Sequence, residues 1–392
     1  MVSSFAFVVF IHTIVLVFGH ENSTVNALRS NSSELQDPEQ LEESANVMFD
    51  EYWQIILQDN PEYATVLGDH RYDDRLDTYS LKCYEKKKVM MNEFLERANQ
   101  LLSISTEGSQ IHSDLLLFII NLQSKLDRLM SGSHLFPVSQ LTTPVMDLHS
   151  ILKYTKVNSA EQAWNLIARY KAVPKQVDEK IELMREGIRT NFTLSEISIF
   201  SKSEEVNAIQ ENASDAILNY VMPAFIKIDD FMNNEYRAHA RPEIGVSSLP
   251  NGRDFYQHEL SYHLSDSSVT AEQIHRMGLQ EVERISKEMD EVIKSLNLSM
   301  THQEFSNMIR NDESQFFKTE EEALETYREV LEKDIAPKLH LLFKKIPEKK
   351  LIVEKMPKEM ATGPQAYYMM PSADNSTPGT FIWIHHLFII CK

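Results

Sequence analysis

The stretch that comes nearest to a catalytic motif is His258-Glu259-Leu260-Ser261-Tyr262-His263, which holds the residue types of a zinc hydrolase. Such a site needs histidines at i and i+4, so that both imidazoles meet one metal from one helix face while the glutamate acts as base on the metal-bound water. Here the second histidine stands at i+5, turned by about 140° from the first on a regular helix, and the two cannot close on one ion without a bulge. They read as structural or surface histidines. His20-Glu21 is followed by Thr24 where a second histidine would be needed, and His385-His386 are neighbours that point to opposite faces of a strand. The sequence contains no Walker loop, Gly-x-Ser-x-Gly elbow or Cys-x-x-Cys, which leaves phosphate cradling and dithiol redox chemistry without support.

The elements that would position any such residues are helical. Ten glycines in 392 residues is far below the roughly 7% of average usage, which argues against strand-rich folds with many tight turns. The 58 acidic residues outnumber 39 basic ones, and a net charge of −19 repels nucleic-acid phosphates and anionic lipid surfaces. Two cysteines, Cys83 and Cys391, make no disulfide framework, so the fold must rest on a packed core, with Cys83 expected as a small buried hydrophobe.

Residues 1–19 read as a signal peptide, because Phe5 to Phe18 is an apolar run too short for a stable membrane span and Val17 and Gly19 supply small residues before a cleavage point. No Lys or Arg precedes that run, which keeps an uncleaved anchor as the alternative. Entry to the secretory pathway is supported independently by the N-glycosylation sequons at Asn22, Asn31, Asn191, Asn212, Asn297 and Asn375. The expected location is secreted, extracellular or luminal.

Residues 20–36 are polar and aperiodic, the pattern of a flexible N-terminus. Asp37-Pro38-Glu39 then opens a helix that Asn60-Pro61 stops, and a short helix over 61–67 ends at Gly68 before the charged loop 69–75. Capping boxes announce later helices at Ser159/Gln162, Thr270/Gln273 and Thr319/Glu322. After Thr270 the residues Ile274, Met277, Val282, Ile285, Met289, Ile293 and Leu296 keep helical spacing and predict a long core-facing stripe. The helix after Thr319 meets Pro337, a kink or break. Short strands are predicted at 351–356, 366–370 and 380–384, followed by an apolar terminus through Lys392. The fold class is mainly α, one continuous multi-helix domain with a small C-terminal β element.

Three stretches, taken together, carry a resemblance. They are Phe49-Asp50-Glu51-Tyr52-Trp53 with residues 60–74 (Asn-Pro-Glu-Tyr-Ala-Thr-Val-Leu-Gly-Asp-His-Arg-Tyr-Asp-Asp), Asn251-Gly252-Arg253-Asp254-Phe255-Tyr256 with residues 270–282, and residues 366–374 with Pro378-Gly379-Thr380-Phe381. In that order they resemble the family catalogued as domain of unknown function 885, described as helical zinc metallopeptidases of the gluzincin type, over roughly 40–381.

The resemblance implies a zincin-like peptidase architecture, a peptide substrate, and a zinc motif on a helix soon after the Pro-Gly-Thr-Phe strand. This sequence departs from that pattern at Ile382, which makes 37–381 an incomplete peptidase-like domain and 382–392 a divergent apolar tail. Neither metal ligands nor catalytic residues carry over, and zinc is expected only in a longer form. The strand at Thr380, Phe381 and Ile382 is the expected substrate edge for backbone pairing. Tyr367 and Tyr368 are candidates to line the cleft and hydrogen-bond a substrate carbonyl, or else simply half-bury on their strand. Asn251-Gly252 reads as a turn, Gly278 as close helix packing and His275 as a packed histidine, with a cleft residue as the alternative. The other reading is a non-catalytic extracellular module that binds peptides or proteins; oligomeric state is not legible.

Overall fold

The computed structural model describes residues 38–139, 144–155, 157–199, 216–264, 266–312, 314, 316–344, 346, 349–355, 366–372 and 377–383. The signal segment 1–19, the segment 20–36, the sequons at Asn22, Asn31, Asn212 and Asn375, and the tail from Ile384 with His385, His386 and Cys391 lie outside the described residues.

The main helices are α1 (Pro38–Asp59), α2 (Pro61–Leu67), α3 (Leu81–Ile104), α4 (Gln110–Met130), α5 (Pro144–Tyr154) and α6 (Ala160–Arg189). They continue as α7 (Met222–Asn234), α8 (Gly252–Leu264), α9 (Ala271–Ser295), α10 (His302–Arg310) and α11 (Glu320–Glu329), followed by strands β1 (Ile352–Lys355), β2 (Ala366–Met369) and β3 (Thr380–Trp383). The mainly helical reading with a small β element holds. Local chemistry sets the ends. Gly68 closes α2 at φ 88°, a left-handed position that costs a glycine nothing, and its N–H reaches back to the Thr65 carbonyl. Thr270 and Gln273 form a reciprocal capping box on α9, as do Thr301 and Glu304 on α10, a box the sequence reading passed over. At Ser159 and Thr319 the cap forms, but the third residue's side chain accepts from the preceding residue, Asn158 or Lys318.

Contacts divide the chain into two compact units, where the sequence, lacking any linker, predicts one continuous domain. One unit takes in residues up to 56, 81–134 and 251–268; the other takes in 57–80, 135–250 and 269 onward. The first is held by Met48 and Tyr52 of α1, Phe94 and Ala98 of α3, and Leu115 and Leu122 of α4, all buried. Tyr52 meets Phe94 and Phe118 edge-on with centroids 5.3 and 5.2 Å away, the geometry favoured by the ring quadrupoles.

In the second unit the core lies between α6 and α7, where Val177, Ile181 and Met184 meet Phe225, Ile228 and Met232. Burying each such side chain contributes about 1.5–3 kcal/mol. Its sheet has the order β1-β3-β2, with β3 parallel to β1 and antiparallel to β2. One face, with Tyr367, Met369 and Ile382, packs on Tyr154 of α5 and Val66 of α2. Phe381, on the opposite face, meets Tyr327 of α11 at 5.9 Å.

Several expectations need correction. Helix α9 forms where its spacing predicts, yet its apolar stripe is open: Met277 is 58% exposed, Val282 65% and Met289 44%, with Ile293 the buried residue of the helix. Periodicity reports a face that can be buried, not one that is. His275 is exposed rather than packed, and a Cβ at Gly278 would meet nothing within 4 Å, so close helix packing does not explain it. Cys83 is half-buried. The helix after Thr319 changes character before its proline, with a π turn over Val330–Ile335. A second π turn, Ile217–Val221, likewise lies just upstream of Pro223. A proline has no N–H and crowds the turn before it, which disturbs the i to i−4 ladder.

Candidate functional site

The site residues singled out in the sequence gather at the sheet of the second unit. Tyr367 pairs with Ile382 and Tyr368 with Phe381 across β2 and β3, so the two phenols stand on opposite faces of the sheet. The Tyr154 hydroxyl donates to the Met370 carbonyl at 2.7 Å and ties the end of β2 to α5. The Tyr367 hydroxyl is buried and has no hydrogen-bond partner among the described residues. Burial pushes the Tyr154 phenol up to about 12, helped by Tyr368 and Tyr367. Burial also raises Tyr367, with Glu354 adding to it, and Tyr368. At neutral pH these phenols therefore act as hydrogen-bond donors, not as bases.

Tyr368 explains the glycine of the Pro-Gly-Thr-Phe motif. Its ring lies over Gly379 so closely that a Cβ there would stand 2.6 Å from the Tyr368 hydroxyl and 3.2 Å from two ring carbons. Thr380 is fully buried and donates to the Pro378 carbonyl at 3.2 Å, while Phe381 is half-buried.

The expected substrate edge is corrected by the strand order. β3, with Thr380, Phe381 and Ile382, is the central strand, and both of its sides are already paired. Among the described residues the outer edges belong to β1 and β2, and β2 is the strand that carries Tyr367 and Tyr368.

A buried polar anchor that sequence reasoning did not find lies in the same unit. Arg169 of α6, with no exposed side-chain surface, donates to the Arg75 carbonyl at 2.8 Å, Thr65 Oγ1 at 2.5 Å and the Pro61 and Tyr72 carbonyls at 3.2 and 3.3 Å. The Thr65 hydroxyl in turn donates to Asp73 Oδ1 at 2.6 Å, and Asp73 also pairs with His70 Nδ1 at 2.8 Å. Desolvation pulls the Arg169 guanidinium down while Asp73, Glu62, Asp77 and Asp74 pull it back up. Burial raises the Glu62 carboxyl, against hydrogen bonds from Gln176 and the Asp77 N–H. Lys180 closes the network on Asp147 at 2.8 Å and over the Tyr79 ring at 4.5 Å. The charged stretch 69–75 is thus partly a core element. Arg169 also reaches Thr155 at 3.4 Å, beside Tyr154, and holds α2, whose Val66 packs against the same cluster of Tyr154, Met369 and Ile382 as Tyr367 does.

The histidine pair of the first unit does not fit zinc. Helix α8 is regular through His258 and His263, which keeps their rings on different faces, and Glu259 accepts from Arg128 at 2.7 Å and lies 3.6 Å from His263. Among the described residues no group of three metal-binding side chains is gathered to hold an ion. No described helix is long and apolar enough to cross a membrane. The described sequons sit at helix ends: Asn191 and Asn297 are exposed, at φ 58° and 57°. Asn251, at φ 54°, makes the turn expected before α8.

The family described as "Bacterial protein of unknown function (DUF885)" matches residues 61–387, which carries the match past Phe381, where the sequence reading ends it. A crystal structure described as that of "the putative lipoprotein from Colwellia psychrerythraea" is similar, with a TM-score of 0.71 at 18% identity over 88% of this chain and 68% of that one. At that identity the likeness speaks for the fold alone. No curated protein matches the chain. With most of its length matched, from the loop around Arg169's partners to the Gly379 strand, the chain belongs to the DUF885 family.

Proposed function

We propose that this chain is a secreted, N-glycosylated protein that carries the helical part of a zinc-metallopeptidase-like fold and holds peptides without cutting them. The observation that carries the reading is the β2 edge: an outer strand beside a buried Tyr367 hydroxyl that lacks a partner among the described residues. An extended peptide added to that edge would bond through its backbone, with side chains alternating between the two sheet faces. The Tyr367 phenol is a donor suited to a peptide carbonyl.

The absence of hydrolysis rests on the sequence. No histidine pair at i, i+4 with a following glutamate occurs in it, and neither a metal site nor a general base can be assigned. The peptidase-like architecture is supported by the motif resemblance and by the exposed stripe of α9, an apolar face of the kind that a further part of a fold would cover. Secretion is supported by the apolar leader and by the exposed sequons at Asn191 and Asn297.

The test is a titration of the secreted chain with extended peptides, followed by mass spectrometry of the peptides with and without added zinc. Saturable binding with intact peptides is the expected result. Zinc-dependent cleavage overturns the reading.

A further inference from the structure

Two stretches of the second unit leave apolar side chains in solvent, and charge tells them apart. On α9 the flanking charges already pair with one another, Arg284 with Glu281 and Glu288 and Lys287 with Glu283, so the stripe carries no excess of either sign toward a partner. The second stretch follows α11. There the π turn Val330–Ile335 passes into a 3₁₀ turn, Ala336–Leu341, and the N–H groups of Leu342 and Phe343 both return to the Leu339 carbonyl, at 3.1 and 2.9 Å. Leu339 is half-buried, whereas Leu341 is 70% exposed and Leu342 82%, with Phe343 and Ile346 exposed beside them. Residues 338–350 also hold five lysines, Lys338, Lys344, Lys345, Lys349 and Lys350, against one acid, Glu348, in a chain whose net charge is −19. Lys338 and Lys344 are exposed and form no ion pair among the described residues, and Lys350 lies 3.6 Å from Glu332.

Leucine and phenylalanine held in water beside unpaired ammonium groups match the boundary of an anionic bilayer. There the lysines meet headgroup phosphates while the apolar side chains enter the acyl layer. Nucleic acid would take up the lysines and leave the leucines in water. We propose that residues 338–350 form an interfacial anchor that docks the chain on an anionic lipid surface without crossing it. The overall charge opposes approach, but the field of distant carboxylates is screened beyond about 8–10 Å at physiological salt, so the lysines at the contact decide its sign. The anchor is independent of the β2 edge and of any peptide.

The test is co-sedimentation of the whole secreted chain with vesicles of phosphatidylcholine alone or of an equal mixture of phosphatidylcholine and phosphatidylglycerol. Wild type is compared with Leu341→Ser/Leu342→Ser, with Lys338→Gln/Lys344→Gln and with a control of equal charge change on other helices, Lys82→Gln/Lys175→Gln. All these positions are exposed, so every variant should keep the wild-type melting midpoint. Wild type and the control should pellet with the mixed vesicles and stay in solution with phosphatidylcholine alone. The lysine pair should weaken partitioning about 25-fold, at about fivefold per lysine, and the leucine pair by about tenfold or more. Equal pelleting with both vesicle types, none with the mixed vesicles, or a leucine or lysine variant that pellets like wild type overturns the proposal. So does sedimentation velocity without vesicles, if it shows a dimer that Leu341→Ser/Leu342→Ser dissolves while the mixed vesicles bind nothing, since the stretch then belongs to a second copy.

Discussion

Tyr367 separates binding from stability more cleanly than any other side chain here. Its hydroxyl makes no bond among the described residues, so Tyr367→Phe should leave the urea midpoint unchanged or slightly raised. Peptide affinity should fall about tenfold, the worth of one hydrogen bond. Arg169 should behave in the opposite way. Removing a fully buried cation that braces Asp73 and several carbonyls should cost about 3–5 kcal/mol in Arg169→Met, measured by urea unfolding, before any question of binding arises. The tyrosines also set an alkaline limit. Tyr52, Tyr154 and Tyr236 have folded pKa values raised from 10.0 to about 12, so their stabilising effect is complete below pH 10 and is lost as pH rises through 12. Stability should be flat below pH 10 as far as these groups act and fall above it, and Tyr154→Phe should flatten that fall in a pH series of unfolding curves. Tyr367 and Tyr368 were legible only through a motif resemblance. Arg169 was not legible at all, because its partners Pro61, Thr65, Tyr72 and Arg75 lie 94 to 108 positions away and nothing local marks an arginine as buried.

At the scale of elements, the sequence specifies what depends on neighbours in the chain. Pro61 and Gly68 bound α2, Thr270 caps α9, and the three strands fall within a residue or two of where alternation places them. Strand order is different, since nothing in Thr380-Phe381-Ile382 says whether two neighbours or one will pair with it. A buried central strand and an edge strand can share one apolar pattern. The same limit applies to α9, whose periodicity is right and whose burial is not. Placing a charge on its open stripe, as in Val282→Glu, should change stability by no more than about 0.5 kcal/mol in urea unfolding and should lower binding of a hydrophobic dye. A core-facing position would instead lose several times that. Between β2 and β3, Gly379→Ala should cost about 1–3 kcal/mol, because the new Cβ meets the Tyr368 ring. Most of that cost should be recovered when Tyr368→Ala opens the space.

For the whole molecule, a net charge of −19 with 58 acidic residues disfavours nucleic acid and anionic membranes. Family membership fixes the fold, and the likeness to a longer solved chain is consistent with it; the proposed peptide binding rests on the β2 edge. The most direct test titrates the purified, secreted chain with an extended peptide library in the presence of zinc and analyses the recovered peptides by mass spectrometry. Saturable binding, weakened by Tyr367→Phe, with every peptide recovered intact is the expected result. Cleavage that requires zinc and stops with a chelator, or no binding at any concentration, would contradict it.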